Sequence, residues 1–178
     1  MRARTDTFPD WVPRIETDRL LLRAPVEEDF PVYCDFFSDA EASRFYGGPL
    51  SPAAAWAKLT ADVGHWVLRG HGVWAIDLVE EWRCVGTCGI VHANGWPRHE
   101  LTWWIARDAR RRGIAAEASR GVITWALGNG WDAVETHMRD ENEAAQRLTE
   151  KLGGEQVARE RFPDGIERSV YRFPRPRA

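Results

Sequence analysis

The chain has 178 residues, 44% of them apolar and 29% charged, with a formal net charge of -3. That length and apolar content suffice to bury one sizeable core, so one domain is expected over 1–178, with an arm at 1–13 and a tail at 174–178. A charge so near balance gives no long-range field for wrapping nucleic acid or lying on an anionic membrane, and no run approaches the roughly 20 apolar residues of a membrane span.

Met1 to Asp10 carries arginines but no apolar stretch behind them, so no secretory signal is read and a cytoplasmic location is expected. The three cysteines, Cys34, Cys84 and Cys88, form no Cys-x-x-Cys pair; neither a disulfide framework nor a structural metal site is expected. Ten tryptophans, from Trp11 to Trp131, read as core and rim packing.

In chain order, Arg19 to Arg23 is a short apolar strand stopped by Pro25. Glu27, Glu28 and Asp29 read as the acidic first turn of a helix, with Phe30, Tyr33 and Phe37 at helical spacing on its core side. Gly47-Gly48-Pro49 is a turn. Ser51-Pro52 then caps a second helix, whose apolar stripe is expected at Trp56, Leu59, Val63 and Val67. Val73 to Val79 alternates with a period of two, and Arg83 to Val91 follows the turn Glu80-Glu81, which predicts a hairpin; Glu100 to Ala106 adds a third strand. Ala115 to Leu127 is a helix stopped by Gly128-Asn129-Gly130. A strand at Ala133 to Arg139, a helix at Glu143 to Leu152 and a hairpin at Gln156 to Phe173, turned at Pro163-Asp164-Gly165, complete the chain.

The most informative stretch is the strand Glu100-Leu-Thr-Trp-Trp-Ile-Ala106 followed by Arg110-Arg111-Arg112-Gly113-Ile114-Ala115 at the start of a helix. First-turn amides and the positive end of a helix dipole both point at whatever sits on such a loop, and glycine lets a ligand approach the backbone. A phosphate or pyrophosphate suits this arrangement, and a solvated basic turn is the other local reading.

Arg110-x-x-Gly113-x-Ala115 resembles the Arg/Gln-x-x-Gly-x-Gly/Ala motif of GNAT N-acetyltransferases. Glu-Leu-Thr-Trp-Trp-Ile is similar to that family's fourth strand, and Ala116-Glu117-Ala118 to its helix opening. Glu16 to Arg23 and Asn142 to Gly153 resemble the ribosomal-protein N-terminal acetyltransferase (RimJ/RimL-like) branch. The resemblance implies an α/β (α+β) fold. A mixed, mostly antiparallel sheet of about seven strands carries helices on both faces and is splayed between the fourth and fifth strands, near Ala106 and Ala133.

It further implies acetyl-CoA as cosubstrate, a primary amine as acceptor (a peptide N-terminus or a small molecule), and no metal. Amides from Arg111 to Ala115, with the side chains of Arg110, Arg111 and Arg112, would hold the pyrophosphate; Trp104, Ile105 and Ala106 would lie along the pantetheine, and Asn142 near its acyl end. Glu100 matches a position that often serves as general base. His99, His137 and Asp140 are weaker candidates for that role. The chain departs from the pattern where a proton donor to the departing thiolate is usual: the serine position holds Ala145 and the tyrosine position Thr149, so that Thr149 donates, water does, or the thiolate leaves unassisted. The donor's loss would also suit an acyl-CoA-binding module with little turnover. Tyr33, Phe37, Phe45, Tyr46 and Trp66 are candidate walls for the acceptor, each equally suited to the core. Exposed strand edges or tryptophans would support a homodimer, and the oligomeric state stays open.

Overall fold

A computed structural model describes residues 10–175. The first nine residues of the expected arm and the last three of the tail lie outside the described residues. The strands are β1 (Ile15–Glu16), β2 (Leu20–Arg23), β3 (Val73–Leu78), β4 (Arg83–Val91), β5 (Glu100–Ile105), β6 (Glu135–Met138), β7 (Glu155–Arg161) and β8 (Glu167–Arg172). The helices are α1 (Phe30–Ser38), α2 (Ala40–Ser43), α3 (Pro52–Arg69), α4 (Ile114–Gly128) and α5 (Glu143–Lys151).

Antiparallel pairing joins β1-β2-β3-β4-β5 in one sheet and β6-β8-β7 in another, so the expected splay falls between β5 and β6. Side chains of β5 alternate between the faces. Trp103 and Ile105 enter a core built with α4, whereas Trp104 stacks with Phe36 on the α1 face. Gly86 makes this register attainable: a Cβ there would come within 2.1 Å of the Trp104 carbonyl.

Three expectations change in three dimensions. Glu27–Asp29 forms a 3-10 turn ahead of α1, and Asp29 is buried instead of serving a helix dipole. Its carboxylate accepts from both terminal nitrogens of Arg23 at 2.7 Å, while Asp77 accepts from Arg23 Nε and Nη2 at 2.8 and 2.7 Å. Burial works against the guanidinium charge, but the hydrogen bonds to both carboxylates outweigh it and hold Arg23 protonated. The acid and thiol group Asp29, Asp77 and Cys84, close enough to share an ion, is thereby filled by an arginine.

The stripe of α3 is also rotated. Ala55, Leu59, Asp62 and Trp66 face inward, whereas Val67 is 68% exposed and Trp56 sits at the surface. Asp62 turns inward because the buried Tyr33 hydroxyl donates to it and Lys58 pairs with it; Trp66 Nε1 donates to the Val73 carbonyl at 2.8 Å. Finally, β3 is buried on both faces, so its alternation separates two cores and not core from solvent. Among the described residues no helix is long and apolar enough to cross a membrane.

Candidate active site

The loop before α4 is shaped by its backbone. Arg111 has φ 61° and Gly113 φ 80°, both left-handed, with Arg112 between them. Alternating handedness of this kind turns successive amides toward a common point. A Cβ on Gly113 would meet only Arg19 Nη2 at 3.5 Å, so the glycine supplies conformation and not space. No side chain caps α4, and the amides of residues 111–116 find no acceptor among the described residues. They form an anion cradle at the positive end of a 15-residue helix.

A clamp holds this loop. Glu117 accepts from the Thr17 hydroxyl at 2.6 Å, from the Arg19 amide at 3.0 Å and from Arg19 Nε at 2.8 Å. Arg19 Nη1 then donates to the Arg112 carbonyl at 3.0 Å. Of the three loop arginines, Arg110 donates through Nε to the Ile105 carbonyl at 3.0 Å, and Arg112 donates to Glu81 at 3.0 Å. Arg111 has no side-chain partner among the described residues and lines the larger cleft.

From the cradle a cleft of about 650 Å³ runs along β5. Ala106 N–H donates to Val85 on β4 at 2.8 Å, so its neighbour Ile105 and, two residues before that, Trp103 turn their main-chain groups toward the split. Their carbonyls are taken by Arg110 and by the Tyr46 hydroxyl, leaving the two N–H groups to face a ligand. A second cleft, of about 240 Å³, shares Phe45, Tyr46, Trp103, Asn142 and Ala145 with the first.

Glu100 and His137 meet in that smaller cleft. Trp96 stacks on His137 at 5.5 Å, with Phe162 on it at 4.2 Å, and Arg168 lies 5.0 Å from the Trp96 ring centre. Burial, helped by the charges of Arg168 and Arg98, pushes the imidazole down to about 4. Burial likewise pushes the Glu100 carboxyl up to about 7, against the opposing pull of Arg168 and Lys58. The two groups are 3.4 Å apart, yet neither ring nitrogen makes a hydrogen bond. At neutral pH the imidazole is therefore uncharged and the carboxyl is poised between its two forms, the condition a general base needs.

Residues 19–155 match the acetyltransferase (GNAT) domain family. The chain belongs to the GNAT acetyltransferase family. Among its relatives, the uncharacterized N-acetyltransferase YoaA of Bacillus subtilis (strain 168) is 27% identical over 177 residues, covering 93% of this chain and 98% of its own. An acetyltransferase from Agrobacterium tumefaciens str. C58 superposes with a TM-score of 0.83 at 31% identity, covering 92% of this chain and 95% of its own. RimL, a ribosomal L7/L12 alpha-N-protein acetyltransferase solved in complex with coenzyme A, shares the fold with a TM-score of 0.73 at 14% identity over 90% of this chain and 97% of its own.

As a GNAT acyltransferase the chain distributes the residues singled out in its sequence unevenly. Trp104, Ile105, Arg110, Arg111, Gly113, Ile114, Ala115 and Asn142 line the larger cleft; Glu100 and Asn142 line the smaller one. Arg112 is turned to Glu81, and Ala106 is bonded to β4. Asn142 accepts from the Ala145 amide at 3.3 Å and so caps α5 while lining both clefts. Ala145 brings only a methyl group to the junction. Thr149 is fully buried, lines neither cleft, and has a hydroxyl without a partner among the described residues; a Cβ on Gly154 would strike its methyl at 2.6 Å.

His99, next to Glu100 in the chain, is not on the lining of the smaller cleft and packs its ring against His71, His92 and Trp131. Asp140 holds Arg159 in a two-point pair at 2.9 Å. Of the five aromatic candidates, Phe45 and Tyr46 line the clefts, while Tyr33, Phe37 and Trp66 belong to the core. Sequence reasoning missed Lys58, Trp96, Arg139 and Arg168 as cleft residues. The available signal was weak: Arg139 ends a strand three positions before Asn142 and Trp96 lies in the loop four positions before Glu100, whereas Lys58 comes from a helix far away in the chain.

Proposed function

We propose that the protein moves an acetyl group from acetyl-CoA directly to a primary amine. The observation that carries this is a pair of clefts sharing Phe45, Tyr46, Trp103, Asn142 and Ala145, with the backbone cradle on the larger and a carboxyl held near 7 on the smaller. The residues fit the cosubstrate. Unspent amides of residues 111–116 suit a pyrophosphate, Arg44, Arg111 and Lys151 add positive charge along the cleft, and the N–H groups of Trp103 and Ile105 suit the amide carbonyls of an extended arm. Acetyl-CoA supplies an acyl carbon activated as a thioester. Glu100 takes the proton the amine gives up as its nitrogen bonds to that carbon and the carbon–sulfur bond breaks. Neutral His137 and its aromatic neighbours exclude water from that side of the carboxyl and keep its basicity high. With Ala145 and Thr149 bringing no donor to the junction, the sulfur leaves as a thiolate and is protonated by solvent, tolerable for a thiol of pKa about 8.5.

That same lack of a donor favours a second reading, an acyl-CoA-binding module with little turnover. Calorimetric titration with acetyl-CoA, with CoA and ATP as controls, followed by thiol release in the presence of amines, separates them. Micromolar binding of the CoA species with amine-dependent thiol release supports the enzyme; binding without release supports the module; no binding rejects both.

A further inference from the structure

The charges around the smaller cleft do not cancel. Three cations line it, Lys58, Arg139 and Arg168, against one carboxylate, Glu100, that is only partly ionised at neutral pH. Lys58 is paired with Asp62. Arg168 sends Nη1 and Nη2 to the two oxygens of Asp164 at 2.8 and 2.6 Å. Arg139, which follows β6 and is half-buried, has no hydrogen-bond or ion-pair partner among the described residues. Asp164 feels its charge, but both Asp164 oxygens are already held by Arg168, and the adjacent Asp140 is turned to Arg159. Arg139 is thus an uncompensated guanidinium on the lining of the cleft that also holds the proposed base.

An amine enters such a cleft largely as an ammonium ion, and an unpaired arginine repels it. The repulsion is reversed when the same molecule carries an anion for the arginine to bind, because the guanidinium fork matches a carboxylate in two-point geometry. The cleft is also small. At about 240 Å³ it lies below the roughly 300–1,000 Å³ of pockets for drug-sized ligands, with Phe45, Tyr46 and Trp96 as aromatic walls.

We propose that the acceptor is a compact primary amine bearing a carboxylate, in the manner of an α-amino acid, with Arg139 binding the carboxylate while Glu100 receives the amine's proton. This rests on reading the smaller cleft as the acceptor site. It disfavours polyamines and other acceptors that carry only positive charge.

The test uses the full chain with acetyl-CoA and a matched set: phenylalanine, phenylalaninamide and phenethylamine, each followed by thiol release. Phenylalanine should show a kcat/KM roughly 10-fold or more above the other two, the scale of one charge-assisted hydrogen-bonded pair. Arg139→Gln should collapse that ratio toward one, chiefly by raising KM for the carboxylate, and Arg139→Lys should restore part of it. Acetyl-CoA affinity, titrated on each variant, reports that the fold is kept. Calorimetry of the three probes against the CoA-saturated protein provides a readout independent of turnover. Arg139-dependent binding of phenylalanine without thiol release would keep Arg139 as the carboxylate site while sinking the acetyl-transfer reading and the acceptor role that rests on it. Equal use and equal binding of all three probes, or a preference for O-phosphoethanolamine over the carboxylate, overturns it.

Discussion

Glu100→Gln should make the protein slower and, above neutral pH, more stable. Burial raises this carboxyl from an ordinary 4.5 to about 7. At 1.36 kcal/mol per unit this corresponds to about 3 kcal/mol at most, reduced somewhat because the side chain keeps 29% of its exposure. The folded protein holds the Glu100 proton more tightly than the unfolded chain does. Its contribution is therefore fully present below pH 4.5 and is lost as pH rises through 7. Glutamine never ionises and escapes that loss. His137, held down at about 4, is uncharged at pH 5 and above in both proteins and cancels. Urea denaturation at pH 5 and pH 8 should give a variant more stable by no more than about 1 kcal/mol at the lower pH and by about 1–3 kcal/mol at the higher, the gap widening with pH. In parallel, thiol release should fall by roughly 10²–10⁴-fold, the usual weight of a general base. The rising limb of kcat/KM near pH 7 should disappear. A stability gap that ignores pH, or a variant weaker than the parent at pH 8, would refute the desolvation argument. An undiminished rate at every pH would remove Glu100 from the chemistry.

Gly113→Glu should abolish measurable acetyl-CoA binding in calorimetry, since it sets a negative charge against the cradle, and should cost about 1–2 kcal/mol of stability because φ is 80°. Unchanged affinity would show that the loop is only a basic turn. Arg23→Met leaves Asp29 and Asp77 buried without their counter-ion, which should cost about 3–5 kcal/mol in urea denaturation; a loss under 1 kcal/mol would mean that the carboxylates find other partners or simply protonate. Thr149→Val removes a buried hydroxyl that has no partner, so stability should hold or rise while thiol release stays at the parent rate. A slowed rate would restore Thr149 as a participant.

The parts of the molecule legible in the sequence are those decided within a few residues. Ser51 caps α3 by accepting from the Ala54 amide, Gly165 takes the left-handed turn of the last hairpin at φ 79°, and Gly113 takes its own at the mouth of α4. In each case one residue's side chain or conformational freedom meets backbone groups one turn away, so the pattern is local and its spacing can be read. The left-handed loop ahead of α4 was visible for the same reason, since a basic run, a glycine and a helix start lie together between Arg110 and Ala115.

What only the tertiary structure decided is the state of each group once the chain closes. The sequence contains Glu100 and His137, but their shifts arise from packing with Trp96, Phe162, Arg168 and Lys58, drawn from a loop, a turn, β8 and α3. Thr149 sits at the spacing of a donor, yet α5 turns it under Gly154 and away from the cleft. Arg139 and Arg168 look alike on paper; Arg168 is fastened to Asp164, while Arg139 lines the smaller cleft with no ion-pair partner among the described residues. Desolvation and ion pairing depend on distances between segments tens of residues apart, and neither periodicity nor local spacing encodes those distances.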